Sequence, residues 1–149
     1  MRQSAMPITL VLALAISIVA CSGAASPAPP RQTPIVNPTP NSMSVFLDGL
    51  VRSKRSLTPM TVAPSLFPSE LLQKGYHAMV VEQSQQNAIC TALGSPALPS
   101  VADSVASNLA ERFHEDPEAL HGWAGYLVTA AAISCQWWIG PLTNAIKGL

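Results

Sequence analysis

Apolar positions along this chain change their spacing twice. From Leu10 to Val19 they form an almost unbroken run, Leu-Val-Leu-Ala-Leu-Ala-Ile-Ser-Ile-Val, closed by Ala20 and Cys21. From Ser22 to Ser42 they thin out, and Pro27, Pro29, Pro30, Pro34, Pro38 and Pro40 stand among Ala, Ser, Thr and Asn. From Met43 onward they return at three- and four-residue spacing, the period of helices that bury one face.

Met43, Phe46, Leu47, Leu50 and Val51 predict a first helix over 43–54, with Ser42 or Ser44 as its cap and Asp48 and Arg52 off the stripe. Arg52, Lys54 and Arg55 close it with cations, which suit the negative end of a helix dipole. Pro59, Pro64 and Pro68 punctuate a connection, and Pro68-Ser69-Glu70 opens a short helix that breaks near Gly75. Tyr76 to Val81 has the composition of a strand with no partner in view. The next helix, Glu82 to Leu93, has wet early turns and a late apolar face at Ala88, Ile89, Cys90 and Leu93, and Gly94-Ser95-Pro96 stops it. Val101, Val105, Leu109 and Phe113 recur every fourth residue, behind a capping box at Ser100 and Asp103. Asp116-Pro117 starts the last helix, whose stripe through Leu120, Ala124, Leu127, Val128, Ala131, Cys135 and Trp138 runs to Gly140-Pro141. The short link from Phe113 to Pro117 predicts that these two helices pair as an antiparallel hairpin. The expected fold is all-α, a small bundle or hairpin over 43–140 with a tail over 141–149.

The Leu10–Val19 run has the length of a signal-peptide core rather than of a membrane span. With Arg2 before it and small Ala20 ahead of Cys21, it resembles a bacterial lipoprotein signal. That resemblance implies cleavage after residue 20, lipid on Cys21, and a linker over 21–42. About 20 residues of partly extended, proline-rich chain reach roughly 50–60 Å. The expected location is the extracytoplasmic face of the cell envelope, with the membrane as a partner through the lipid. Charge changes the picture only by exclusion: eight cations balance eight acids, leaving no basic footprint for nucleic acid. If Cys21 carries lipid, Cys90 and Cys135 remain as an even pair in an oxidising compartment, where a disulfide is expected. The uncharged stretch between Glu118 and Lys147 is long enough to cross a bilayer. Its Ala, Gly, Thr and Ser residues, with Gln136, suit burial against other helices better.

Chemistry is sparse. His114-Glu115-Asp116-x-Glu118-x-x-His121 collects metal-ligand side chains, yet acids at a helix start are explained by its dipole, so no metal or cofactor is expected. The sequence contains no Gly-x-Ser-x-Gly elbow, Ser-x-x-Lys pair or Cys-x-x-Cys motif, which disfavours a hydrolase or an oxidoreductase. Trp123, Tyr126, Trp137 and Trp138 concentrate aromatic area in the last helix. Adjacent Trp137 and Trp138 cannot both enter one core, so one is expected partly exposed, where it would mark a ligand groove, a partner interface or a membrane-surface contact, with plain packing against the C-terminal tail as the favoured alternative.

Phe46-Leu47-x-x-Leu50, then Ala88-Ile89-Cys90-x-x-Leu93, then Val101, then Tyr126-Leu127-Val128-x-x-Ala131-Ala132-x-x-Cys135 together resemble the small secreted mycobacterial proteins grouped as domain-of-unknown-function seven-three-two. The chain departs from them in its long segment before Cys90 and in Gln136, where that family usually has proline. The resemblance implies a short helical domain, made with a signal peptide and often lipidated, in which Cys90 and Cys135 pair. It implies no reaction. The functional expectation is a non-enzymatic interaction module meeting an envelope protein or lipid. The alternatives are a carrier of a small apolar ligand beside Trp123 and Trp138, an envelope hydrolase, and a prophage-type exclusion lipoprotein.

Overall fold

The structure, a computed structural model, describes residues 40–54 and 56–149. The signal-like run, Cys21, the linker up to residue 39 and Arg55 lie outside the described residues. In chain order the helices are α1 (Pro40–Ser53), α2 (Ser69–Gln73), α3 (Gln83–Leu93), α4 (Pro99–Arg112), α5 (Pro117–Ser134) and α6 (Ile139–Ile146), with a 3₁₀ turn, Gln136–Trp138, between the last two. Among the described residues no regular strand forms, so the all-α expectation holds.

Helix α5 is the axis of the fold. Asp116 caps it, its Oδ1 accepting from Ala119 N at 2.9 Å, and Pro117 takes the first helical position, where a missing N–H costs nothing. Every residue from Gly122 to Ala132 is buried, so α5 has no solvent face in its middle. A helix apolar all round must be surrounded, and α3, α4, α6 and an extended segment, 76–81, do this. No helix among the described residues is long and apolar enough to cross a membrane.

The extended segment finds a partner in the proline-punctuated connection. Met60 N donates to Ala78 O and Val80 N to Thr58 O, each at 2.8 Å, around an antiparallel Pro59–Met79 bridge. On its other side the segment lies on α5. Met79 N donates to Thr129 Oγ1 at 3.1 Å, and that hydroxyl donates to Gly125 O at 2.7 Å. The carbonyl oxygen of His77 sits only 2.0 Å from where a Cβ on Gly125 would lie, so only glycine lets the two backbones meet this closely. Gln86, placed by its sequence among wet residues, is buried instead. Its amide donates to Val81 O, its carbonyl accepts from Ser134 Oγ, both at 2.8 Å, and it ties the segment's end to α3 and α5.

Six expectations need correction. Helix α5 stops at Ser134, because Cys135 leaves helical geometry and is bonded to Cys90 of α3, with the two Cα atoms 5.8 Å apart. The chain then turns so that Trp138 is fully buried and its Nε1 donates to Gly94 O at 2.6 Å, past the end of α3. Gly140-Pro141 does not end a helix but stands in the first turn of α6, where proline displaces no hydrogen bond. The segment expected as a tail over 141–149 is therefore mostly helix, with Leu142 and Ile146 wholly buried. Tyr76 Oη donates to Ile146 O at 3.1 Å, and burial pushes the phenol above its usual pKa. Helix α4 buries Val101, Val105 and Leu109 as its stripe requires, but packs chiefly against α6, then against α1, and less against α5. The periodicity located the buried face of α4, and α6 was invisible as its partner because its sequence looked like a tail. Finally, Pro99 enters α4 as its first residue with Leu98 as N-cap. Ser100 and Asp103 thus lie inside the helix and make no capping box. Pro40 begins α1 in the same way, so Ser42 and Ser44 lie inside that helix.

Candidate functional site

A cleft of about 670 Å³ opens where three stretches distant in sequence meet, 51–59, Met79 and 116–123. Val51 and Lys54 come from the end of α1, Ser56, Leu57 and Pro59 from the connection, and Met79 from the extended segment. Asp116, Glu118, Ala119, Gly122 and Trp123 come from the cap and first two turns of α5. Gly122 is needed here, because a Cβ on it would stand 3.0 Å from Leu57 Cδ1. The size lies in the ordinary range for small-molecule and peptide sites.

The lining is amphipathic and carries both signs of charge. Asp116 and Glu118 are exposed. Lys54 Nζ lies 5.0 Å from the centre of the Tyr126 ring, a cation–π contact, and 3.8 Å from Glu82 Oε1. The Glu82 pair is long and largely solvated, so it holds the ammonium weakly. Leu57, Met79 and Trp123 supply apolar surface. Trp123 is nearly buried, stacked beside Phe113 with ring centres 6.4 Å apart and meeting Tyr126 edge-on at 5.5 Å.

The structure thus separates the four aromatic residues that the sequence grouped. Trp123 lines the cleft and Tyr126 lies behind it, fully buried. Trp138 is in the core beside the end of α3 and does not line this cleft. Trp137, 56 % exposed, faces solvent outside the cleft. The histidine and acid cluster is dispersed as well. His121 packs its ring on Tyr76 at 4.3 Å, Asp116 caps α5, and no group of three or more potential ligands converges among the described residues. Sequence reasoning missed Lys54, Leu57, Met79 and Gly122 as site residues. The readable signal was Gly122 and Gly125, three apart inside a helix, which mark a face that another segment approaches closely.

Tyr126 shows one cost of this arrangement. Its hydroxyl is buried and has no hydrogen-bond partner among the described residues. An unsatisfied buried hydroxyl destabilises, so Tyr126→Phe should raise the unfolding free energy by about 1 kcal/mol. Chemical denaturation would check this, and a loss of stability in the variant would show that the hydroxyl is bonded.

No family model, curated protein or solved structure matches this chain.

Proposed function

We propose that the chain is a cell-envelope lipoprotein, anchored through lipid on Cys21 at the extracytoplasmic face, whose helical domain is a non-enzymatic interaction module. The cleft at Trp123 carries the binding reading: apolar surface from Leu57, Met79 and Trp123, lined also by Lys54, Asp116 and Glu118, suits holding a partner. The Leu10–Cys21 pattern supports the anchor. The Cys90–Cys135 disulfide suits the oxidising compartment such an anchor implies. Residues 21–39 then hold the domain away from the bilayer. Kinship with the mycobacterial two-cysteine family belongs to the same proposal.

A carrier of a small apolar ligand or lipid is the second reading, favoured by the Leu57, Met79 and Trp123 surface. An acyl chain filling the cleft would strip water from Lys54, Asp116 and Glu118 without offering them partners, so a polar-ended occupant fits better. The test is a photo-crosslinking amino acid at Leu57 of the full chain in cells, compared with the same chain carrying Cys21→Ser. Discrete adducts should form in the membrane fraction and fall away with Cys21→Ser. Failure of any adduct to form sinks the interaction module. Detergent partitioning unchanged by Cys21→Ser sinks the anchor.

A further inference from the structure

Charge is missing from the end of the domain opposite the cleft. The sequence has no Asp, Glu, Lys or Arg from 83 to 102 or from 119 to 146. The first stretch holds α3 and the start of α4, the second most of α5, the 3₁₀ turn and α6. The Cys90–Cys135 bridge and the Trp138 bond to Gly94 bring the two together just past the last turn of α5. Asp116 and Glu118 stand at the other end of that helix, at the cleft. Helix α6 carries the chain back toward them, since Ile146 O accepts from Tyr76 Oη and Tyr76 packs on His121. Lys147 follows there. Along α4 the first charge is Asp103, its fifth residue.

The uncharged end exposes apolar surface. Ile133 and Trp137 are exposed on either side of buried Cys135, and Trp137 is the only exposed Phe, Trp or Tyr among the described residues. Neutral surface gives up its water more cheaply than charged surface. A tryptophan ring, apolar in body with one N–H, suits the level of lipid headgroups.

The chain also enters the domain from this side. Val51 and Lys54, at the end of α1, line the cleft. Asp48 pairs with Arg112, while Ser44, one turn earlier in α1, shares a hollow with Asn108, one turn earlier in α4. The two helices therefore run the same way. Helix α4 ends where Phe113 stacks beside Trp123, and it starts at Pro99, five residues after Gly94. The first residue of α1, Pro40, thus lies away from the cleft by about 15–20 Å, toward the end that carries Trp137.

We propose that this end of the domain rests on the bilayer that holds the lipid of Cys21, with Trp137 and Ile133 at headgroup level and the Trp123 cleft turned outward. This rests on the anchored-module reading above and adds the face that meets the membrane and the direction in which the cleft opens. The linker sets the greatest distance between domain and bilayer, and every shorter distance is open to it, contact included. Two apolar side chains bind a membrane weakly by themselves. Tethering makes the contact intramolecular and raises its effective concentration.

The test uses the protein purified from the membrane fraction and reconstituted into phosphatidylcholine vesicles, with or without shallow-brominated phosphatidylcholine. Bromine quenches tryptophan at short range, and Trp123 and Trp138 are buried. On brominated vesicles the wild-type protein should lose about one third of its tryptophan emission, the share of one ring in three. Trp137→Phe, a change at an exposed position, should remove most of that loss. Emission equal on brominated and plain vesicles, or quenched alike in wild type and Trp137→Phe, overturns the assignment. An unquenched dimer that Trp137→Gln disperses overturns it too and gives the face to a second copy. Intact mass separates these failures from failure of the anchor. A chain without lipid at Cys21 removes both readings, whereas a lipidated chain without quenching removes this one alone.

Discussion

Gly125→Ala should unfold this domain or bring it close to unfolding, with a loss above about 4 kcal/mol, in the range reserved for severe backbone or core lesions. Helix propensity alone points the other way, since alanine inside a helix is favoured over glycine by about 0.5–1 kcal/mol. What opposes it is the carbonyl of His77, 2.0 Å from the added Cβ. That oxygen belongs to a backbone held on both sides, by Met60 N to Ala78 O and by Met79 N to Thr129 Oγ1. To relieve the clash, segment 76–81 must leave α5, which would expose Ala78, Met79 and Val81 and the buried middle of the helix. Gly49 provides the contrast. It is also inside a helix but exposed, and a Cβ added there would meet nothing within 4 Å, so Gly49→Ala should stabilise by about 0.5–1 kcal/mol. Denaturant unfolding of both variants decides the matter. Similar small gains in the two would show that the extended segment does not lie on α5.

Breaking the disulfide should have a comparable effect. Cys90 and Cys135 enclose a loop with a sequence separation of 45, and chain entropy assigns such a cross-link about 4 kcal/mol at 25 °C. The bridge also joins α3 to the point where α5 gives way to the 3₁₀ turn, so its loss loosens the setting of Trp138 against Gly94. Cys90→Ala with Cys135→Ala avoids placing a hydroxyl at position 135, which is wholly buried. Its unfolding midpoint should fall well below that of the oxidised chain, and the reduced wild-type chain should match it. Coincident midpoints for the oxidised and reduced chains would show that the cross-link contributes nothing to stability.

Much of the helical framework was legible in the sequence because its signals are local. Stripes at three- and four-residue spacing located α1, α3 and α4, and Asp116-Pro117 marked the start of α5 to the residue. A helix start needs only a side-chain acceptor and a tolerated proline, both neighbours in the chain. The even cysteine pair was readable for a similar reason, since composition and compartment suffice to expect a bridge.

The end of α5 was not legible, because the same dipeptide serves two purposes. Gly140-Pro141 reads as a stop after a helix and equally as the first turn of a new one, where proline's missing donor displaces nothing. Which applies was decided by distant contacts, the Cys90 bridge and the Trp138 bond to Gly94. The partner of the 76–81 segment was hidden in a connection whose prolines argued against a strand, and only one bridge forms there. The cleft depended on tertiary structure most of all. Its charges and apolar floor come from α1, the connection, the extended segment and α5. Periodicity determines that a face is buried, and cap residues determine where a helix begins. Which faces meet, and which side chains they leave around an opening, is set by packing between segments far apart in the chain.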